Sequence, residues 1–297
     1  METSKIHFPP QAAEPMSNPL TMFMRQPKIY MKLPSGGAFW PQGSIVIPEN
    51  GQFPVYSMTA KDEILMNIPD ALMNGQAVVD VIQNCIPNIK NAWMSPSIDL
   101  DAMLVAIRIA TYGEMMTTPI KFNDKVEMDF KIDLRTVLDG IMQSAQWDSA
   151  IPINNEITIF VKPANYKQLT EASLQSFETQ KIIQLTNDKT INDDDKIRMF
   201  KESFAKLTNA TVGMIVASIS HIDTINGSTE DPKHIKEYID NVDKEVFGII
   251  QGHLENLKIQ NSIKPMTVAV TDDMREKGIT GDTVEVPLVF DASTFFG

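Results

Sequence analysis

Residues 99–132 read DLDAMLVAIRIATYGEMMTTPIKFNDKVEMDFKI, and a change of rhythm inside them sets the fold class. In the first half Met103, Leu104, Ile107 and Thr111 recur at helical spacing, with Asp99 available as an N-cap. This predicts a largely buried helix from Asp99 to Met116. In the second half Ile120, Phe122, Val126, Met128, Phe130 and Ile132 alternate with polar residues around Asn123-Asp124, the pattern of an antiparallel hairpin over 118–132. A helix that leads into a hairpin predicts an α+β protein, mostly helical blocks with small antiparallel β-hairpins.

Upstream, residues 26–56 carry short β-prone runs punctuated by Gly-Gly, Glu-Asn-Gly and proline, which predicts strands near 28–33, 44–47 and 53–56. Thr59 can cap a helix starting at Lys61, and Pro69 suits the first position of another, which Asn74-Gly75 ends. From Gln76 to Ile86, Val78, Val79, Ile82, Cys85 and Ile86 share one helical face, and Pro87 stops the helix. Residues 1–27 hold five prolines and little apolar periodicity, so they are expected to be a flexible N-terminal arm.

Downstream, Asp133 can cap the helix LRTVLDGIMQSAQ, and Ile157–Val161 suits a short strand before Pro163. Helix is expected from about Asn165 toward Leu185. The acidic loop NDKTINDDD then leads into an amphipathic segment with Ile197, Phe200, Phe204, Leu207, Thr211, Ile215 and Ile222 on one stripe. Its expected partner starts at Asp231-Pro232 and presents Ile235, Ile239, Val242, Val246, Ile249 and Leu257, which would make a helical hairpin. MTVAV (266–270) and VEVPLVF (284–290) read as paired strands before a tail, Asp291 to Gly297. The division expected from this pass is the arm (1–27), an N-terminal α+β domain with hairpins (28–162), and a C-terminal part (163–297) made of the helical hairpin, a terminal β-hairpin and the tail. The order of helical block then hairpin occurs twice, a sign of two similarly built halves without a fixed period.

With 43% apolar and 22% charged residues over 297 positions, the chain can bury a real core. Its net charge of −12 opposes the attraction to phosphate that underlies most nucleic-acid binding, so no direct nucleic-acid contact is expected. A single cysteine, Cys85, excludes an intrachain disulfide and fits a reducing compartment. The N-terminus lacks the pattern of a signal peptide, and the longest apolar stretch, Met214 to Ile219, falls far short of the roughly 20 residues of a membrane span. A cytoplasmic protein without membrane insertion is expected. Eighteen methionines fit either a methionine-tolerant core or surfaces that adapt to more than one partner.

No catalytic constellation converges. Asp193, Asp194 and Asp195 could hold a divalent ion, but a calcium loop beginning at Asp188 needs glycine where Asp193 stands and glutamate where Met199 stands. They read instead as a solvated loop favouring the positive end of the next helix. His7, His221, His234 and His253 form no recognisable metal or triad motif, and Pro34-Ser35-Gly36-Gly37 is a tight turn without the phosphate-loop pattern. No catalytic residue, cofactor or metal is expected, and the chain reads as a binding protein, not an enzyme. The candidate partner-binding residues are Tyr30, Phe39, Trp40, Phe295 and Phe296, since aromatic side chains dominate interface hot spots and a chain end keeps two phenylalanines where they dock. For Phe39, Trp40, Phe295 and Phe296 the alternative is docking on this chain's own core.

Three segments carry a resemblance: RQPKIYMKLPSGGAFWP (25–41), FPVYSMTAKDEILMNIPDALMNGQAVVDVIQNCIPNIKN (53–91) and DLDAMLVAIRIATYGEMM (99–116). In this order they resemble the baseplate hub subunits of T-even-like, contractile-tailed bacteriophages, and VEVPLVFDASTFFG (284–297) resembles that family's end. Relatives commonly carry zinc-knuckle cysteine pairs after the TYG segment, and some do so again near the C-terminus. This chain has TTPIKFNDKVEMDF (117–130) and KPMTVAVTDDMREKGITGDT (264–283), with no cysteine in either, so its hairpins are expected to be held by packing. The resemblance implies a role in tail assembly through contacts with other tail or baseplate hub proteins, in the cytoplasm of the infected host or in the virion baseplate. Two mechanisms are compatible with it: a departing chaperone of the tape-measure protein, or a permanent structural subunit. Homo-oligomerisation is compatible with both. The rival from a different class, a tail-associated hydrolase, lacks a glutamate-aspartate pair, a zinc motif or a cysteine-histidine arrangement.

Overall fold

The computed structural model describes residues 20, 24–123, 126–186, 192–286, 288 and 295–296. Most of the expected arm, Asp124 of the expected hairpin turn, most of the acidic loop and most of the tail lie outside these residues. The fold is α+β, with ten α-helices and small antiparallel sheets among the described residues.

Strands β1 (Ile29–Met31) and β2 (Phe53–Val55) pair antiparallel. Helix α1 (Ala60–Met66) starts with a capping box in which Thr59 and Asp62 satisfy one another's backbone N–H. Helix α2 (Pro69–Met73) opens on its proline, and Gly75, at φ 78°, turns the chain directly into α3 (Gln76–Cys85). All five residues predicted for the buried face of that helix are buried, Cys85 included. The predicted strand at 44–47 does not form. Val46 and Ile47 are exposed, and the segment is held to residues 88–91 by the Ile45–Ile89 bridge, by the Val46 N–H donating to the Asn88 carbonyl at 2.9 Å, by the Ser44 carbonyl accepting from the Lys90 and Asn91 N–H groups, and by the Asn88 side-chain amide donating to the Val46 carbonyl at 2.8 Å. Flanked by the Gly43 turn and Pro48, it meets a loop rather than another strand.

After a 3-10 turn (Ala92–Met94), α4 (Ser97–Tyr112) runs through the middle of the first core with ten buried residues. It begins earlier than predicted: Pro96 occupies the N-cap position and Asp99 lies inside the first turn, so the carboxylate is free for another use. The predicted hairpin follows as β3 (Met115–Asn123) and β4 (Val126–Asp133), then α5 (Leu134–Ser144), capped by Asp133.

The second core is built on a four-stranded antiparallel sheet in the order β5 (Ala150–Pro152), β6 (Ile157–Val161), β7 (Ile219–Thr224), β8 (Gly227–Thr229). Between β6 and β7 come α6 (Tyr166–Thr186) and α7 (Asp193–Ser218), and α7 passes into β7 without a loop. Ile222 therefore belongs to β7, not to the α7 stripe. Helices α8 (Pro232–Asn241) and α9 (Lys244–Asn261) are separate, because Asp243 caps a new start by accepting the Val246 N–H at 2.9 Å. Ile159, Ile222, Ile235, Ile239, Ile250 and Leu257 close this core, each burial contributing about 2 kcal/mol. Helix α7 packs on α8, the helix that starts at Asp231-Pro232, as expected, with Ile215 in one core with Ile235 and Ile239. It also packs on α6, the helix before it in the chain: Gln168, Ala172 and Gln175 of α6 line one groove with Lys206, Ala210 and Ala217 of α7.

The sequence-drawn boundary at 162/163 falls between β6 and its neighbour β7, so one sheet draws on both sides of it. The chain then returns to the first core: β9 (Met266–Ala269) pairs with β10 (Thr283–Val286) around α10 (Asp272–Glu276). Val270, Met274 and Ile279 pack with Met128 and Phe130 of β4 and with Val284, so the two cysteine-free hairpins lean on each other through an apolar cluster.

Candidate functional site

The aromatic candidates fall into three environments. Asp99 is fully buried, and its Oδ1 accepts the Ser35 N–H at 2.7 Å while its Oδ2 accepts the Ser35 hydroxyl and the Trp40 indole N–H, the latter at 2.7 Å. Burial pushes its carboxyl up, and these hydrogen bonds pull the other way. The Pro34–Gly37 turn is thus a clamp on α4, and Trp40 packs against the first core. The following geometry leaves Phe39 at φ 66°, costly for a non-glycine residue, with its ring edge-on to Trp147 at 6.1 Å and 40% of its surface exposed. Trp147 donates its indole N–H to the Val161 carbonyl at 3.0 Å, so Phe39 reaches the second core through it. Tyr30 stands exposed on β1.

Phe295 and Phe296 are buried in the first core, edge to face at 5.0 Å. Tyr112 donates to the Phe296 carbonyl at 3.0 Å. The Arg108 guanidinium lies 4.3 Å from the Tyr112 ring centroid and 5.8 Å from that of Phe295. Its Nε and Nη1 are buried with no hydrogen-bond partner among the described residues. These two phenylalanines dock on this chain's own core.

A run of exposed apolar side chains lies where the sequence pattern suggested a buried face. Along α7, Ile197, Phe200, Phe204 and Leu207 are 53%, 43%, 52% and 39% exposed. The face that α7 turns to α6 is instead small and polar, with Ser203 buried and Ala210, Gly213 and Ala217 along the groove. The large apolar side chains are left on the outer face. The spacing Ser203, Ala210, Ala217 was the available signal, since a seven-residue repeat of small residues competes with the larger stripe for the packing face.

The stripe ends at a cleft of about 640 Å³ between α4, α6, α7 and α9. Its apolar walls include Leu100, Trp147, Leu169, Ile215, Leu254 and Leu257, with Asp101, Glu255 and Lys258 as charged groups. Burial pushes the Asp101 carboxyl up to about 6, and the side chain makes no hydrogen bond or ion pair among the described residues. Cys85, buried and fixed beside Asp62, has its thiol pushed up to about 11 by burial and by that carboxylate, with Arg25 opposing. This is the opposite of an activated nucleophile. Among the described residues no three His, Cys, Asp or Glu side chains gather to hold a metal ion, and no helix is long and apolar enough to cross a membrane.

A family model described as T4 bacteriophage base plate protein matches residues 24–268. No curated protein and no solved structure matches the chain.

Proposed function

The chain belongs to the T4 bacteriophage base plate protein family, and we propose that it serves tail or baseplate hub assembly without catalysis, by contacts with other proteins. The observation that carries this reading is the α7 stripe. Four large apolar side chains face solvent along one helix. Contiguous exposed apolar surface of this kind marks interaction sites. Such a face suits a chaperone that holds the tape-measure protein and then leaves, acting in the cytoplasm of the infected host. The charged groups nearest the apolar cleft, Asp101, Glu255 and Lys258, include no partnered acid-base pair that would favour the tail-hydrolase reading.

The second reading, a permanent subunit of the virion baseplate, is favoured by the family's own description. Tyr30 and Phe39, exposed on the same N-terminal segment, would then serve as contacts to neighbouring subunits, and the α7 stripe would be covered in the finished particle. Quantitative mass spectrometry of purified virions and infected-cell lysate separates the two. Abundance in lysate with absence from particles is the result expected of a departing chaperone. A fixed stoichiometry against another tail protein assigns a structural subunit.

A further inference from the structure

We infer that the cleft between α4, α6, α7 and α9 is a socket for one arginine side chain of a partner protein, whose guanidinium is received by Asp101. The inference rests on the protein-contact reading above and adds the site and the chemistry of its occupant. The cleft holds about 640 Å³, the size of a ligand site and not of a packing gap. Leu169 of α6, Ile215 of α7 and Leu254 of α9 make its walls apolar, and Asp101 of α4 is set among them. Asp101 accepts no hydrogen bond and forms no ion pair among the described residues, and no charged neighbour shifts its carboxyl, which burial alone pushes up. A carboxylate withdrawn from water without a partner is destabilising until a cation meets it.

Charge and shape select the occupant. The other charged groups on the cleft are Glu255 and Lys258, three residues apart on α9, which offset one another and leave Asp101 as the net charge. A guanidinium suits this setting better than an ammonium, because its paired N–H groups meet both oxygens of one carboxylate and its weak hydration lets it enter an apolar cleft. The apolar stem of the same side chain covers the leucine walls. The arginine comes from another protein, since each of the five in this chain is already engaged. Arg25 donates to Asn84 and to the Ser57 carbonyl, Arg108 lies over the Tyr112 ring, and Arg135, Arg198 and Arg275 pair with Glu114, Asp195 and Asp272.

The test uses the full-length protein and acetylated synthetic peptides Ser-Leu-Leu-X-Leu-Leu-Ser-amide, in which X is arginine or its neutral isostere citrulline. Titration calorimetry at about pH 7.5 is expected to show saturable binding of the arginine peptide and at least roughly tenfold weaker binding of the citrulline peptide. Asp101→Asn should bring the arginine peptide down to the citrulline level, while Asp139→Asn, at an exposed acid on α5, should leave the difference intact. Because Asp101 gives up its proton at about pH 6, the arginine peptide should weaken roughly tenfold from about pH 7 to about pH 5 while the citrulline peptide does not. Glu255→Gln should keep that profile. Equal binding of the two peptides, no binding, or an arginine preference that survives Asp101→Asn overturns the inference. So does free agmatine binding as tightly as the peptide, which assigns the cleft to a small organic cation, or a dimer in light scattering that Asp101→Asn dissolves, which assigns it to a second copy. Virion and lysate composition is read without reference to the cleft, so failure here leaves the assembly reading standing.

Discussion

The indole N–H of Trp40 donates to Oδ2 of Asp99 at 2.7 Å, joining a loop aromatic to the first turn of the central helix across 59 residues of sequence. The same carboxylate takes both donors of Ser35. One buried charge therefore organises the whole Pro34–Trp40 loop and fixes the base from which Phe39 projects.

Removing that acceptor strands three donors in the interior, and an unmet buried donor costs more than a made hydrogen bond returns. Asp99→Ala is expected to lower unfolding stability by about 3 kcal/mol, and Trp40→Phe by about 1 to 2 kcal/mol. Because both act on one contact, the double variant should lose less than the sum. Urea unfolding followed by circular dichroism measures all three.

Asp101 gives a pH dependence. Its carboxyl holds a proton up to about pH 6 in the folded chain and up to about pH 4 when unfolded. The folded state therefore binds more protons between these values, and stability falls as pH rises through that window. Asp101→Asn removes the loss: a gain of about 2 kcal/mol is expected above pH 7, vanishing near pH 4. Thermal unfolding of both proteins across this range tests the sign. A gain that is independent of pH would contradict it.

Phe295→Ala and Phe296→Ala should each destabilise by about 3 kcal/mol, since both rings fill the first core. Tyr112→Phe, which removes the hydroxyl shared between the Phe296 carbonyl and Glu63 Oε1, should cost about 1 kcal/mol. A Phe296→Ala protein of unchanged stability would mean that the C-terminal aromatics do not hold the fold.

Gly75 joins α2 to α3 at φ 78°, and a Cβ there would lie 2.9 Å from Thr170 Oγ1 and 3.2 Å from the Trp93 ring. Gly75→Ala is expected to destabilise by roughly 1 to 3 kcal/mol through backbone strain and contact with α6. Pairing it with Thr170→Ser, which removes the methyl at 3.1 Å, should recover part of the loss in the same unfolding assay.

Local chemistry made much of this fold legible from the chain alone. Thr59 with Asp62, Pro69, Asn74-Gly75, Pro87 and Asp133 punctuate helices within a few residues of where they begin and end, because caps and φ constraints act over single turns. The β3–β4 hairpin was legible for the same reason, its alternation being confined to neighbouring residues. The stretch at 44–47 had the right residue types for a strand but found a loop, with a single bridge to Ile89, in place of a second strand, which no local pattern records. Of the aromatic candidates, Tyr30 and Phe39 are exposed, whereas Trp40, Phe295 and Phe296 pack into the first core.

By itself the sequence determined the α+β class, several helix caps, the hairpins and the family resemblance, all properties written within short windows of residues. Only the tertiary structure decided that α7 packs against α6 as well as α8, and hence which of its faces meets water. Periodicity shows that Ile197, Phe200, Phe204 and Leu207 share a face, but burial depends on what another segment brings to it. Here α6 lies on the side of Ala210 and Ala217, and the large apolar side chains remain outside.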